Sequence, residues 1–179
     1  TYARVWPGYA LATSASKSGQ ILVFDDETTY SVKVFQQRGP GNHFRSGFFT
    51  PGSGYMICAD DNANESVQTA SVKGAERERP DQMRSKPAKW TRRLPVRVRA
   101  MVLAGDTLLT AGPPDEIPAD DPLAALQGRK GAILTSVSTK DGKTQGEYKL
   151  DHPPVFDGMA AAGKALFVVL KNRQIVCFK

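Results

Sequence analysis

The chain has 179 residues, of which 40% are hydrophobic and 23% charged, with a formal net charge of +6. That is enough for one domain with a core, and the composition excludes a disordered tail. No run approaches the roughly 20 apolar residues that a membrane-spanning helix needs, and the longest, 165–170, suits a buried strand.

Helical periodicity is almost absent. Short apolar runs recur instead, punctuated by Gly, Asp and Pro, and such runs predict strands. "VWPGYALATSA", near the start, reads as the tail of an earlier unit. "QILVFDD" (20–26) and "TTYSVKVFQ" (28–36) predict two strands joined by an Asp-rich turn. A Gly-rich loop, "RGPGNHFRSG", follows, and "GYMICAD" (54–60) predicts a third strand. Residues 61–86 carry few large apolar side chains and read as a surface insertion. "AKWTRRLPV" predicts the fourth strand, with Trp90 placed as Tyr148 is in the next unit.

The second half repeats the plan. "RVRAMVLAG" (97–105) and "TLLTAG" (107–112) predict strands on either side of a Gly105-Asp106 turn. The connection 113–128 holds four prolines; only "DPLAALQ" can make a helical turn, with Asp121 as its cap. "GAILTSVST" (131–139) and "GEYKL" predict a hairpin across Asp141-Gly142, and Asp-Gly is the strongest short signal for reversal of an extended chain. After "DHPPVFDG" the sequence starts again with "MAAAG" (159–163), "KALFVVLKN" and "RQIVCFK". "MVLAGDTLLTAG" lies beside "MAAAGKALFVVL", with Met101 and Met159 58 residues apart. Without the 113–128 insertion the spacing approaches the roughly 40 to 50 residues of propeller blades.

These repeats predict an all-β chain: a partial β-propeller of four-stranded antiparallel blades, about two and a half of them. The expected units are the end of a preceding blade (1–19), a blade with an insertion at 61–89 (20–95), a blade with a loop at 113–128 (96–151), and an incomplete final blade (152–179). A closed propeller needs at least four blades, so the missing ones are expected elsewhere on the polypeptide or in a partner. The last unit stops at its third strand, and its fourth is expected from elsewhere. The chain begins at Thr1 without a charged n-region or an apolar h-region, so no signal peptide is read in it.

Few residues point to chemistry. Cys58 and Cys177 both end apolar runs and are expected to be small core residues. Two cysteines and two histidines make neither a disulfide framework nor a zinc cluster. Asp115, Glu116, Asp120 and Asp121 crowd a Pro-rich run that lacks the alternating spacing of a calcium loop; Asp25, Asp26 and Glu27 sit at a strand turn. Both sets read as solvated loops. His43, with Asn42 and Arg45, lies in the Gly-rich loop, which could bind an anion or sit over a central channel, and 38–47 is the preferred functional loop. It follows a strand and opens no helix, so it is not a phosphate-binding loop. His152 precedes two prolines and reads as a turn residue. No nucleophile motif accompanies either histidine. Tyr9, Phe24, Tyr30, Phe35, Tyr55, Trp90, Tyr148 and Phe167 fall at strand positions and are expected to pack between sheets. Positive charge concentrates in 73–99, where Trp90 is the one aromatic; a nucleic-acid groove interleaves more of them.

"SVSTKDGKTQGEYKL" (136–150) resembles the blade signature of the quinoprotein-like β-propellers, Ala-x-Asp-x-x-Thr-Gly-Lys-x-x-x-Trp. Ser136 and Ser138 stand at the small and acidic positions, Asp141-Gly142-Lys143 stands for Thr-Gly-Lys, Gly146 falls near the tryptophan position, and Tyr148 follows. "KNRQIVCF" is similar to the family's "DGRVVCF" type of final strand. The resemblance runs from 95 to 179, more loosely over 20–60, and is to the C-terminal region of large propeller proteins common in planctomycete-like bacteria. The tryptophan is missing from the best repeat.

The resemblance implies a non-catalytic interaction or scaffold module, part of a larger periplasmic or cell-surface bacterial protein or complex. Its rim loops, 36–52, 61–89 and 113–128, would carry the contacts. The partner would be a protein, or the remainder of the polypeptide that completes the propeller. The alternative it implies is part of an oxidoreductase holding pyrroloquinoline quinone with calcium, but no catalytic, cofactor-binding or metal-ligating residue is assigned by motif. A third expectation comes from charge: an anionic polymer on 73–99, binding that would collapse with salt.

Overall fold

A computed structural model describes residues 17, 19–33, 55–64 and 87–179. The described residues are all-β apart from one turn of helix. Among them eleven strands form three antiparallel sheets, and in each sheet the order in space is the order along the chain. The first sheet holds β1 (Ile21–Phe24), β2 (Thr28–Lys33), β3 (Tyr55–Asp61) and β4 (Trp90–Leu94). The second holds β5 (Ala100–Ala104), β6 (Thr107–Gly112), β7 (Ala132–Ser138) and β8 (Thr144–Leu150), with helix α1 (Ala124–Gln127) in the β6–β7 connection. The third has three strands, β9 (Pro154–Ala162), β10 (Ala165–Leu170) and β11 (Ile175–Phe178). The described sheets do not close into a barrel.

Turn chemistry fixes the register. The β9–β10 hairpin turns on Gly163 and Lys164 alone, both at positive φ (57° and 64°), as the two central residues of a type I′ turn require. At the β10–β11 reversal, Leu170 N–H donates to Gln174 O (2.8 Å) and Arg173 adopts φ 70°. The 139–142 loop is closed by Gly142 N–H on Ser138 O (2.9 Å) and Ser138 N–H on Lys143 O (2.8 Å). Asp141 holds Lys143 through both its backbone N–H (3.2 Å) and its ammonium (2.9 Å).

Strand alternation sends side chains to opposite faces, so a sheet with apolar residues at consecutive positions is covered twice. The second sheet is built this way. Met101, Leu108 and Val137 face the first sheet and join Tyr30, Val32, Ile57 and Trp90 in one core. Val102, Leu109 and Leu134 face the third and join Leu166, Val168 and Phe178 in another. The fully buried ones, such as Leu108, Val137 and Val168, each contribute about 1.5–3 kcal/mol of transfer free energy. The first strands of the three sheets are neighbours: β5 lies against β1 on one side and β9 on the other. Asp157 N–H donates to Arg99 O (2.8 Å), tying the third sheet to the second.

The β4–β5 link is anchored to the start of the 113–128 connection. Arg97 N–H donates to Pro113 O (2.8 Å) and Asp115 N–H to Pro95 O (2.9 Å). The Arg97 guanidinium meets the Asp115 carboxylate at 2.9 Å, both largely buried. Asp115 is therefore a structural anchor, not part of a solvated loop. Asp121 does not cap α1, whose N-cap is Leu123 without a side-chain cap. Its carboxylate turns to Arg129 (2.6 Å), which holds it below the usual carboxylate range.

Three further expectations are corrected. Cys177 is exposed on β11, while Cys58 is buried in β3; neither forms a disulfide. Alternation along β11 puts Cys177 on the face opposite Val176 and Phe178. Phe24 and Phe167 do not pack between sheets but are exposed, at 72% and 39%. The strand expected to begin at Met159 begins at Pro154, because Asp157 takes up φ 55° and a break in register lets the "PVFDG" segment rejoin β10.

Candidate functional site

Two aromatic contacts join sheet to sheet, one filled and one open. In the filled contact Trp90, on β4 at the outer side of the first sheet, reaches across to the second. Its partner on β3 is Ala59, which faces Tyr30 on β2, so the indole lies in the inter-sheet core 6.0 Å from the Tyr30 ring. Burial raises the pKa of that Tyr30 phenol. Trp90 Nε1–H donates to Thr139 O at 2.7 Å, a carbonyl in the β7–β8 loop of the neighbouring sheet. The ring covers Gly142 of the same loop so closely that a β-carbon there would stand 2.6 Å from Trp90 Cε3. Gly142 has φ +70°, so both its missing side chain and its backbone are used.

Tyr148 is the large aromatic on the second sheet's fourth strand, deeper in β8 than Trp90, which opens β4. It is paired with Leu134 on β7, as Trp90 is with Ala59 on β3. Its ring leans toward the third sheet, 6.2 Å from Phe178 on β11, and stays 57% exposed. Beside it a groove of about 640 Å³ opens between the second and third sheets. Leu109, Leu134 and Leu166 line it together with Tyr148 and Phe178. Where Trp90 finds a glycine loop, Tyr148 finds this open space.

The third sheet leaves a second surface uncovered. Leu166, Val168 and Phe178 face the second sheet, so alternation turns Phe167, Val169, Ile175 and Cys177 to the other side. Register puts Phe167 across from Ala160 and Cys177, and Val169 across from Ile175. This face is apolar throughout, and Phe167, Val169 and Ile175 are exposed on it.

The chemistry-bearing residues do not converge. Asp25 accepts from the backbone N–H groups of Glu27 and Thr28 in its own turn (2.9 and 2.7 Å). Asp60 accepts from Asn64 (2.8 Å), Asp115 serves Arg97, and Asp121 serves Arg129. Glu116 and Asp120 are exposed in the connection, as are Asp26 and Glu27 in the β1–β2 turn. Among the described residues no three His, Cys, Asp or Glu side chains gather as a metal would need. His152 lies, exposed, in the bend between β8 and β9. The 38–47 loop with Asn42, His43 and Arg45, the residues Tyr9 and Phe35, and most of 61–89 lie outside the described residues. Of the basic 73–99 segment, Lys89 donates to Thr28 Oγ1 (2.6 Å) and Arg97 is buried against Asp115. Trp90 is sealed in the core and offers no face for a base to stack on. Among the described residues no helix is long and apolar enough to cross a membrane.

No family model matches the chain. No curated protein matches it either.

Proposed function

We propose that the chain is three consecutive blades of an incomplete β-propeller, serving as an interaction scaffold and not as a catalyst. The carrying observation is the stacking of three sequential antiparallel sheets through their first strands, with the next apolar face already presented on the third. A sheet that covers both its faces with neighbours suits a ring, and the uncovered face of Phe167, Val169 and Ile175 is where such a ring continues. The Trp90 contact with the 139–142 loop adds a device that sets sheet against sheet. The motif resemblance to quinoprotein-like propellers points the same way. It also suggests an extracytoplasmic bacterial setting.

The test is the native mass of the protein and of whatever it purifies with, for the wild type and for Val169→Lys. The reading expects an assembly well above 19.4 kDa that Val169→Lys takes apart while leaving the far-ultraviolet spectrum unchanged. A cooperative 19.4-kDa monomer, indifferent to Val169→Lys, overturns it.

A further inference from the structure

Where β5 and β9 begin, the chain gathers positive charge that its own acids do not neutralise. We infer that Arg99 and Lys171 together bind a tetrahedral dianion of phosphate size, taken either as free phosphate or as a phosphate monoester. The site is independent of how many sheets complete the assembly.

Four segments meet there. Arg99 O accepts from Asp157 N–H at 2.8 Å, so the residue that precedes β5 lies against β9. Lys171 follows β10, and its backbone N–H donates to Pro153 O at 2.9 Å, which holds it beside the start of β9. The end of α1 packs on the same proline: a β-carbon on Gly128 would stand 2.6 Å from Pro153 Cγ. The Arg99 guanidinium reaches Leu126 O of that helix at 3.5 Å. Burial first, and then the nearby Arg99 charge, hold Lys171 below the usual lysine range. Lys171 is still exposed, so a solute can reach it.

The acids that could neutralise this pair are committed elsewhere. Asp115 meets Arg97 at 2.9 Å and Asp121 meets Arg129 at 2.6 Å. The Tyr55 phenol feels Arg97, Asp115 and Arg99 at once, and Asp115 is the one acid among the three. Among the described residues neither Arg99 nor Lys171 forms an ion pair. Like charges held together repel, and charges withdrawn from water are normally paired. A bound anion removes both costs. Arg99 spends one N–H on Leu126 O, across a contact longer than an ordinary hydrogen bond. The rest of its fork suits two oxygens of one ligand, and Lys171 adds a point charge for a third. Two positive charges call for a dianion, and a phosphate monoester carries about −1.5 to −2 at neutral pH where a carboxylate carries a single charge.

The intact, isotope-labelled chain is titrated with inorganic phosphate near neutral pH at constant ionic strength, with the Arg99 side-chain N–H and the Lys171 backbone amide as reporters. Their shifts should saturate. Lys171→Gln, at an exposed position, should weaken the affinity about tenfold or more, the worth of one charge-assisted hydrogen bond. Lys171→Arg keeps the charge and should restore most of the binding. Arg99→Gln should abolish saturation. Acetate, with one charge, should bind about tenfold or more weakly than phosphate. O-phosphoserine separates the two sources: affinity equal to or below that of phosphate assigns the site to the free ion, and tighter binding assigns it to a monoester. The amide spectrum of each variant reports its fold, and Lys171→Gln decides alone if Arg99→Gln unfolds the chain. Shifts that stay linear in phosphate, that sodium chloride reproduces, that acetate matches, or that survive Lys171→Gln unchanged would each overturn the inference. The propeller reading is judged separately, by assembly mass and Val169→Lys, so either can fail without the other.

Discussion

Replacing Gly142 by Ala tests the inter-sheet contact most directly. Gly142 holds φ +70°, which costs an L-residue about 1–2 kcal/mol. The added β-carbon would stand 2.6 Å from Trp90 Cε3 and 2.9 Å from Cδ2. Normal carbon contacts lie at about 3.5–4.0 Å, so the indole must retreat by roughly 1 Å. It cannot do so freely, because its Nε1–H is held at 2.7 Å by Thr139 O. Overpacking of this sort costs a further ~1–3 kcal/mol. Arg92 Cγ is equally near, at 2.6 Å, but belongs to an exposed side chain that can swing away. Gly142→Ala should therefore cost about 2–5 kcal/mol in the wild type. Trp90→Ala, which empties a buried indole site, should cost about 3–5 kcal/mol. In the Trp90→Ala background the clash vanishes and only the backbone cost of ~1–2 kcal/mol remains. The double variant should thus be more stable than the sum of the singles predicts, by about 1–3 kcal/mol. Urea unfolding followed by far-ultraviolet circular dichroism measures all four corners of the cycle. Additivity within about 0.5 kcal/mol would refute the claim that the ring rests on the glycine.

Thr110 and Thr135 stand opposite each other on β6 and β7, and each Oγ1 is buried without a hydrogen-bond partner. Thr135→Val keeps the shape and removes an unsatisfied hydroxyl, so it should raise the urea midpoint, corresponding to about 1 kcal/mol. Arg173, at φ 70° in the β10–β11 reversal, should give way to Gly with a gain of ~1 kcal/mol, read as a rise in thermal midpoint. Asp141 has its pKa lowered to about 2, first by the Lys143 ammonium and then by the Lys143 backbone N–H. A depressed carboxylate adds stability that is fully present above its unfolded value, near 3.8, and is lost as pH falls through about 2. Asp141→Asn should flatten that part of the acid-stability profile, and a carboxyl carbon titration should place the wild-type midpoint near 2.

Strand positions and the 140s hairpin were legible because apolar runs and Asp-Gly are local signals. Ile21, Val32, Ile57 and Leu108 fall in such runs and are buried. The second sheet's two-sided burial emerges only from the structure, which covers the apolar residues of both parities in "AMVLA" and "AILTSVS". What sequence could not give were the long-range partners. Nothing local separates Cys58 from Cys177; one lies in an inner strand, the other at an uncovered edge. Asp121 has the residue type of a cap, but Arg129 competes for its carboxylate. Asp115 looked like one of four loop acids, and only the return of the connection against Pro95 and Arg97 buries it. The pairing of Trp90 with the 139–142 loop spans 49 residues, beyond any spacing rule, although an indole in one repeat and Asp-Gly in the next were the traces it left.

The uncovered face of the third sheet bears on solubility as well as on recognition. Ile175 to Phe178 is a short apolar stretch on an open edge, the composition from which ordered aggregates grow. Lys171, Arg173 and Lys179 flank it closely, and their like charges act as gatekeepers that keep copies apart. Such repulsion between exposed charges is screened over about 8 Å at physiological salt. High salt should therefore shorten the lag before the purified chain associates, and the same lysines and arginine that guard the edge set how concentrated the protein can become in solution.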